Sequence, residues 1–250
     1  MRNNPSTTTD RENLTSFLQA LITAYEEGEL GGTEHEVYPD LPSGSRENYL
    51  YFTLASAINF QRDSERLWQA AAKTYADPET QFVFFPEETK RGEEEYFTAL
   101  TKHGLASFPN KHTDIWYRIS RTFAEENSAD PREFLSSCGY DVITIRKELR
   151  DRNKAFPYLR GPKLSNYWLY ILDCFTDVSF NNRGEITIVP DSHVIQASVR
   201  LGVIDESTQS RTAVSNAWKE LTSGTDIDPI DLHAPLWRWS RKEFPSIEAE

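Results

Sequence analysis

The sequence predicts a mostly α-helical fold with one small β excursion. Three observations carry this reading: apolar residues recur at helical spacing along nearly the whole chain, turn-prone clusters separate the runs, and a single stretch changes to strand-like alternation. Leu14, Phe17, Leu18, Leu21 and Tyr25 form the first stripe, and Gly28 is its stop. Residues 31–45 hold Gly, Pro and Ser and read as a loop. Ser45 is placed to cap the next helix, whose apolar positions include Tyr49, Leu50, Phe52, Leu54, Ala57 and Ile58. Leu67, Trp68, Ala71, Ala72 and Tyr75 mark a third helix that ends near Asp77-Pro78. Further helices are expected over 93–103, 112–125, 131–137 and 141–152. The clearest runs from Pro162 to Phe175, with Leu164, Tyr167, Trp168, Ile171, Leu172 and Phe175 on one face. Val178-Ser-Phe180 and Glu185-Ile-Thr-Ile-Val189 then flank Asn181-Asn-Arg-Gly184, the pattern of a short β-hairpin. Helix returns over 192–201, closed by Gly202, and again over 207–222. The tail from Asp226 mixes Pro with Trp237 and Trp239 and reads as irregular packing.

Composition bounds the function. The 250 residues are 38% hydrophobic and 12% aromatic, with six Trp, which suits a sizeable core rather than disorder. No apolar run approaches the ~20 residues of a membrane helix, and Met1 to Asp10 is polar and Thr-rich without a hydrophobic signal region, so a cytoplasmic location is expected. Two cysteines, Cys138 and Cys174, exclude a disulfide framework and an all-cysteine zinc or four-iron site. The five histidines, at 35, 103, 112, 193 and 233, lack ligand spacing, so neither metal nor cofactor is expected.

The net charge of −12 argues against coating of nucleic acid without selectivity. The bases are concentrated, however. Arg146, Lys147, Arg150, Arg152, Lys154, Arg160 and Lys163 face only Glu148 and Asp151 within 146–163, a local balance of seven against two. A focused patch of this kind can hold phosphate on an acidic protein.

Inside that patch lies Phe156-Pro-Tyr-Leu-Arg-Gly-Pro-Lys163, between two expected helices. Gly161 permits close backbone approach, Pro162 suits the first helical position, and the N–H groups of the helix start can receive a phosphodiester without reading sequence. Lys163 falls in the first helical turn, where its charge opposes the helix dipole; stability would favour Asp or Glu there, whereas an amine nucleophile is served by such a field. As a plain surface lysine it would be a phosphate contact. Asp191, in Ile188-Val-Pro-Asp-Ser-His-Val194, has the position of an N-cap, and a carboxylate there can also face a cleft to stabilise a cationic sugar or accept a proton.

Taken in order, Gly161-Pro-Lys163 before an apolar helix, Val189-Pro-Asp191-Ser-His193-Val and Arg200-Leu-Gly resemble the helix-hairpin-helix–GPD superfamily of DNA glycosylases. Upstream, Asn59-Phe-Gln-Arg-Asp63 and His103-Gly-Leu with Lys111 are similar as well, so the likeness covers roughly residues 46–203, with a further trace in Pro229-Ile-Asp-Leu-His-Ala-Pro-Leu-Trp237. The resemblance implies a two-lobed helical glycosylase-like fold: a disordered tail at 1–12, then one domain over 13–250, with a hairpin-bearing core lobe at 46–190 and a second lobe from 13–45 plus 191–250. It implies excision of a damaged base from duplex DNA in base excision repair, an oxidised purine first, with Schiff-base lyase cleavage. Lys163 and Asp191 would be catalytic. Arg160, Gly161, Pro162, His193, Arg152 and Lys154 would contact DNA. The flipped base would meet Phe60, Gln61, Phe156 and Tyr158, with Trp116 a further aromatic candidate.

Three features depart from that family. Its hairpin carries two glycines, and here the first falls on Tyr158 or Leu159. The Lys163-to-Asp191 connection is longer, and the four-cysteine cluster is missing. Two other functions fit the same residues: a non-catalytic nucleic-acid-binding protein on a glycosylase scaffold, and a glycosidase acting on a modified nucleoside or nucleotide.

Overall fold

The computed structural model describes residues 8–31, 38–208 and 210–247. Among them the chain is mostly helical. Their contacts divide them into two compact units at 34/35 and 183/184: one takes in 35–183, the other the N-terminal helix and everything from 184.

In the unit of 35–183, α2 (Arg46–Ala57) is the centre. Ser45 caps it through Oγ, which accepts from the Asn48 N–H at 3.2 Å. From Asn48 to Ala57 every residue is buried, as a helix enclosed on all sides must be. Around it lie α3 (Ser64–Ala76), α4 (Glu93–Lys102), α5 (Pro109–Glu126), α6 (Pro131–Ser137), α7 (Val142–Asp151) and α8 (Pro162–Phe175). The large rings are packed with their polar atoms satisfied: Trp116 Nε1 donates to the Val83 carbonyl at 2.8 Å, and Trp168 Nε1 on α8 donates to Thr53 Oγ1 on α2 at 3.0 Å. Trp116 is completely buried, so it belongs to the core and not to a base-binding surface.

The other unit holds α1 (Thr8–Glu26), α9 (Ser192–Arg200), α10 (Arg211–Thr222) and α11 (His233–Arg241). The helix from Thr8 overlaps the tail expected at 1–12; residues 1–7 lie outside those described. So do 32–37 of the expected 31–45 loop. Leu18, Leu21, Val194, Ala197, Val214, Trp218, Leu236 and Trp239 form the unit's core. Trp218 Nε1 donates to Ser198 Oγ at 2.8 Å, which joins α10 to α9 inside it.

Two expectations are corrected. The β-hairpin does not form: 178–190 contains a 3-10 turn, Arg183–Glu185, and one isolated bridge between Asp141 and Asn181. The alternation seen in the sequence is real burial without pairing, because Ile186 and Ile188 are buried in an extended segment that no strand accompanies. The tail is not irregular. A 3-10 turn over Pro229–Leu232 leads directly into α11. No helix among the described residues is long and apolar enough to cross a membrane.

Candidate functional site

Backbone bonds build the connection between α7 and α8. The Ala155 and Phe156 N–H groups return to the Arg152 carbonyl at 2.9 and 3.1 Å, and the Gly161 N–H to that of Tyr158 at 3.0 Å. Tyr158 has φ +67°, the left-handed region that favours glycine. Of the two residues standing where the resemblance places a first glycine, it is therefore Tyr158 that adopts a glycine-like backbone. Gly161 is the N-cap of α8, and a Cβ there would sit 3.3 Å from the Tyr158 carbonyl oxygen. Since the cap has no side chain and Pro162 has no N–H, the Lys163 and Leu164 N–H groups open the helix with no side-chain cap.

Lys163 is exposed and makes no hydrogen bond or ion pair among the described residues; Arg160 and Lys154 are likewise exposed and unpaired. Arg152 differs. It is held by Glu126 and lies 5.2 Å from the Phe156 ring centroid, so structure already occupies it.

The expected base-binding residues separate into two groups. Phe156 is completely buried between Phe123 and Phe134 and is a core residue. Phe60 and Tyr158 come together as a stacked pair, centroids 4.5 Å apart and planes 13° from parallel. Phe108 extends the stack, 6.2 Å from Phe60 at 3°. Its outer members are open to solvent: Phe108 is 40% and Tyr158 37% exposed. The Lys111 ammonium stands 4.8 Å over Phe60 and 4.7 Å over Tyr158, close enough for cation–π attraction. Gln61, exposed beside this stack, is also left-handed at φ +52°. Two left-handed non-glycine residues therefore meet at this aromatic cluster. Phe108, Lys111 and His112 were not among the site residues read from sequence; an aromatic just before α5 with a lysine in its first turn was the available signal.

Under the stack lies His112, completely buried, its ring edge-on to Phe60 and Phe108 at 4.9 and 5.3 Å. Neither ring nitrogen has a hydrogen bond of good geometry. Burial pushes its pKa down to about 4, helped by the Arg62 and Lys111 charges and opposed by the Leu105 carbonyl, so the ring is neutral at pH 7.

Asp191 belongs to the other unit. It is the N-cap of α9, Oδ1 accepting from the Val194 N–H at 2.9 Å, and the side chain is half-buried. Its second oxygen has no hydrogen-bond partner among the described residues. His193 rests against Trp237, centroids 5.6 Å apart, with Nδ1 3.4 Å from Ser240 Oγ. His233, which sequence reasoning did not single out, is near enough to feel the Asp191 charge: burial lowers its pKa to about 4 while Asp191 pulls it up. Among the described residues no three His, Cys, Asp or Glu side chains cluster as a metal site would require.

No protein-family model matches the sequence, and no curated protein matches it.

Proposed function

We propose that the protein is a DNA N-glycosylase with lyase activity, in which Lys163 supplies the nucleophilic amine and Asp191 the carboxylate. The observation that carries this reading is Lys163 itself: an exposed, unpaired amine on the first turn of α8, directly after a tight turn whose cap leaves backbone N–H groups open to a phosphate. The neutral amine attacks C1′ of the damaged nucleotide. The glycosidic bond breaks, its electron pair leaves on the base, and the base takes up a proton. Asp191 accepts the proton released by the amine and offsets charge on the sugar; the C1′–O4′ bond then breaks, O4′ takes its electron pair and a proton, and a Schiff base forms between C1′ and the lysine nitrogen, from which loss of a C2′ proton expels the 3′ phosphate. Arg160 and Lys154 are further cations beside the turn with no ion pair among the described residues. The Phe60–Tyr158 stack with Lys111 above it offers aromatic faces to an unstacked base.

A panel of duplex oligonucleotides, each with one lesion, tests the reading through base release measured with and without strand nicking. Release from an oxidised purine, accompanied by nicking, is the expected result. A panel with no release from any lesion would contradict it.

Tyr158 provides a separate check. Tyr158→Gly removes left-handed strain of about 1–2 kcal/mol but forfeits the burial of the ring and a stacked pair of about 0.5–1.5 kcal/mol beyond it, so a modest net loss of stability is expected. Affinity for lesion duplex falls roughly tenfold, because a base stacked on an aromatic ring contributes ~1–3 kcal/mol. Denaturant titration beside fluorescence anisotropy reads both numbers. Lost stability with unchanged affinity would make Tyr158 a packing residue only.

A further inference from the structure

We propose that the groove along α3 holds a stretch of phosphodiester backbone, so that the nucleic-acid contact continues beyond the hairpin. The inference rests on the reading of the protein as a DNA-binding enzyme. The groove has a volume of about 370 Å³, and its polar lining includes Arg62, Arg66, Gln69, Lys73, His103 and Ser107. Arg66 and Lys73 are exposed and make no ion pair among the described residues. Arg62 is half-buried, donates to the Leu105 carbonyl and has a buried Nε without a hydrogen-bond partner. Burial alone lowers its pKa to about 10, against the pull of Asp63. Asp63 is the acid that lines the groove, and its Oδ1 is engaged by the Arg66 N–H at 2.9 Å. His103 is tied to Asp77, Nε2 to Oδ2 at 2.7 Å. The cations therefore exceed the acid available to neutralise them within the groove.

Geometry selects a strand over a small anion. Arg66 and Lys73 are seven residues apart on one helix, about 10 Å along its axis, too far apart to share one small anion but within reach of two phosphates of one strand. The groove and the aromatic stack draw on the same two chain segments. The loop after α2 gives Phe60 to the stack and Arg62 to the groove. The loop after α4 gives His103 and Ser107 to the groove, and Phe108 and Lys111 follow it into the stack.

The test is a salt titration of binding to a fluorescent duplex of about 30 base pairs. With two phosphate contacts removed, the Arg66→Gln/Lys73→Gln variant should bind roughly tenfold or more weaker near 0.1 M salt, equally for every sequence, and its log–log salt slope should shrink by about 2. Both side chains are exposed, so an unchanged unfolding midpoint is expected, and Arg66→Lys/Lys73→Arg should restore the slope. A variant slope equal to the parent's overturns the inference. If the parent releases base while the slope is unmoved, only the groove inference fails. If the parent releases no base yet the slope shrinks, the groove stands and the glycosylase reading fails. No binding of the parent to any duplex removes both.

Discussion

Asp191→Asn is expected to slow base release by roughly 10²- to 10⁴-fold, the range over which a positioned acid or base contributes, with the stability of the protein nearly unchanged. The separation follows from the geometry of the cap. The Asp191 side chain holds α9 through one oxygen, Oδ1, bonded to the Val194 N–H. An asparagine carbonyl oxygen accepts that bond equally well, since Asn and Asp rank together as N-caps. The second oxygen has no structural duty among the described residues, and it is the charge on the pair of oxygens that the proposed chemistry uses. Asp191→Ala would confuse the two roles by also removing a cap worth about 1 kcal/mol. Single-turnover base release beside thermal unfolding measures both quantities. An asparagine variant that is folded and fully active would confine Asp191 to capping.

The second large effect is on stability against pH. His112 is neutral because burial holds its folded pKa at about 4, below the ordinary 6.5 that the unfolded chain shows. A lowered pKa means that the unfolded state binds the proton more readily. Stability from this group is therefore complete above pH 6.5, declines as pH falls towards 4 and levels off below that. A difference of this size corresponds to about 3 kcal/mol at most, and ~2–3 kcal/mol at pH 4.5. His112→Leu keeps an apolar side chain beneath Phe60 and Phe108 and removes the titration. Denaturant unfolding at pH 7.5 and pH 4.5 should show the variant losing ~2–3 kcal/mol less than the parent. His233, also held near 4, and the carboxylates keep part of the acid sensitivity in both proteins. Equal losses in the two would mean that His112 is already protonated or already hydrated in the fold.

The helices that sequence reasoning placed best are those with both a stripe and punctuation. α8 runs from Pro162 to Phe175 as expected, because its apolar face is continuous and Gly161-Pro162 is a strong start. Ser45 and Asp191 were legible as caps for the same local reason. The tail reads as irregular in sequence because a proline inside a helix usually breaks it. Pro229 opens a 3-10 turn and Pro235 is the third residue of α11, positions where the missing N–H costs nothing. The false hairpin came from period-two burial at Ile186 and Ile188, which sequence periodicity cannot tell from a paired strand.

At the candidate site, legibility stopped at residue type. Phe60, Phe156 and Tyr158 looked equivalent as sequence, yet Phe156 is enclosed by Phe123 and Phe134 while the other two stack at the surface. That distinction depends on the left-handed turn at Tyr158, an unusual conformation for a tyrosine that only the folded chain reveals. Phe108, the N-cap of α5, and His112 in its first turn join from a distant part of the chain, a long-range pairing that local spacing does not encode.

The central claim is that a lysine amine of this chain becomes bonded to the sugar of a damaged nucleotide. Borohydride trapping on a duplex with one abasic site, followed by digestion and mass spectrometry, tests it most directly. The account predicts a stable adduct mapped to Lys163 in the parent and none in Lys163→Gln, whose surface position leaves folding intact. An adduct that persists in Lys163→Gln, or that maps to another lysine, would contradict it.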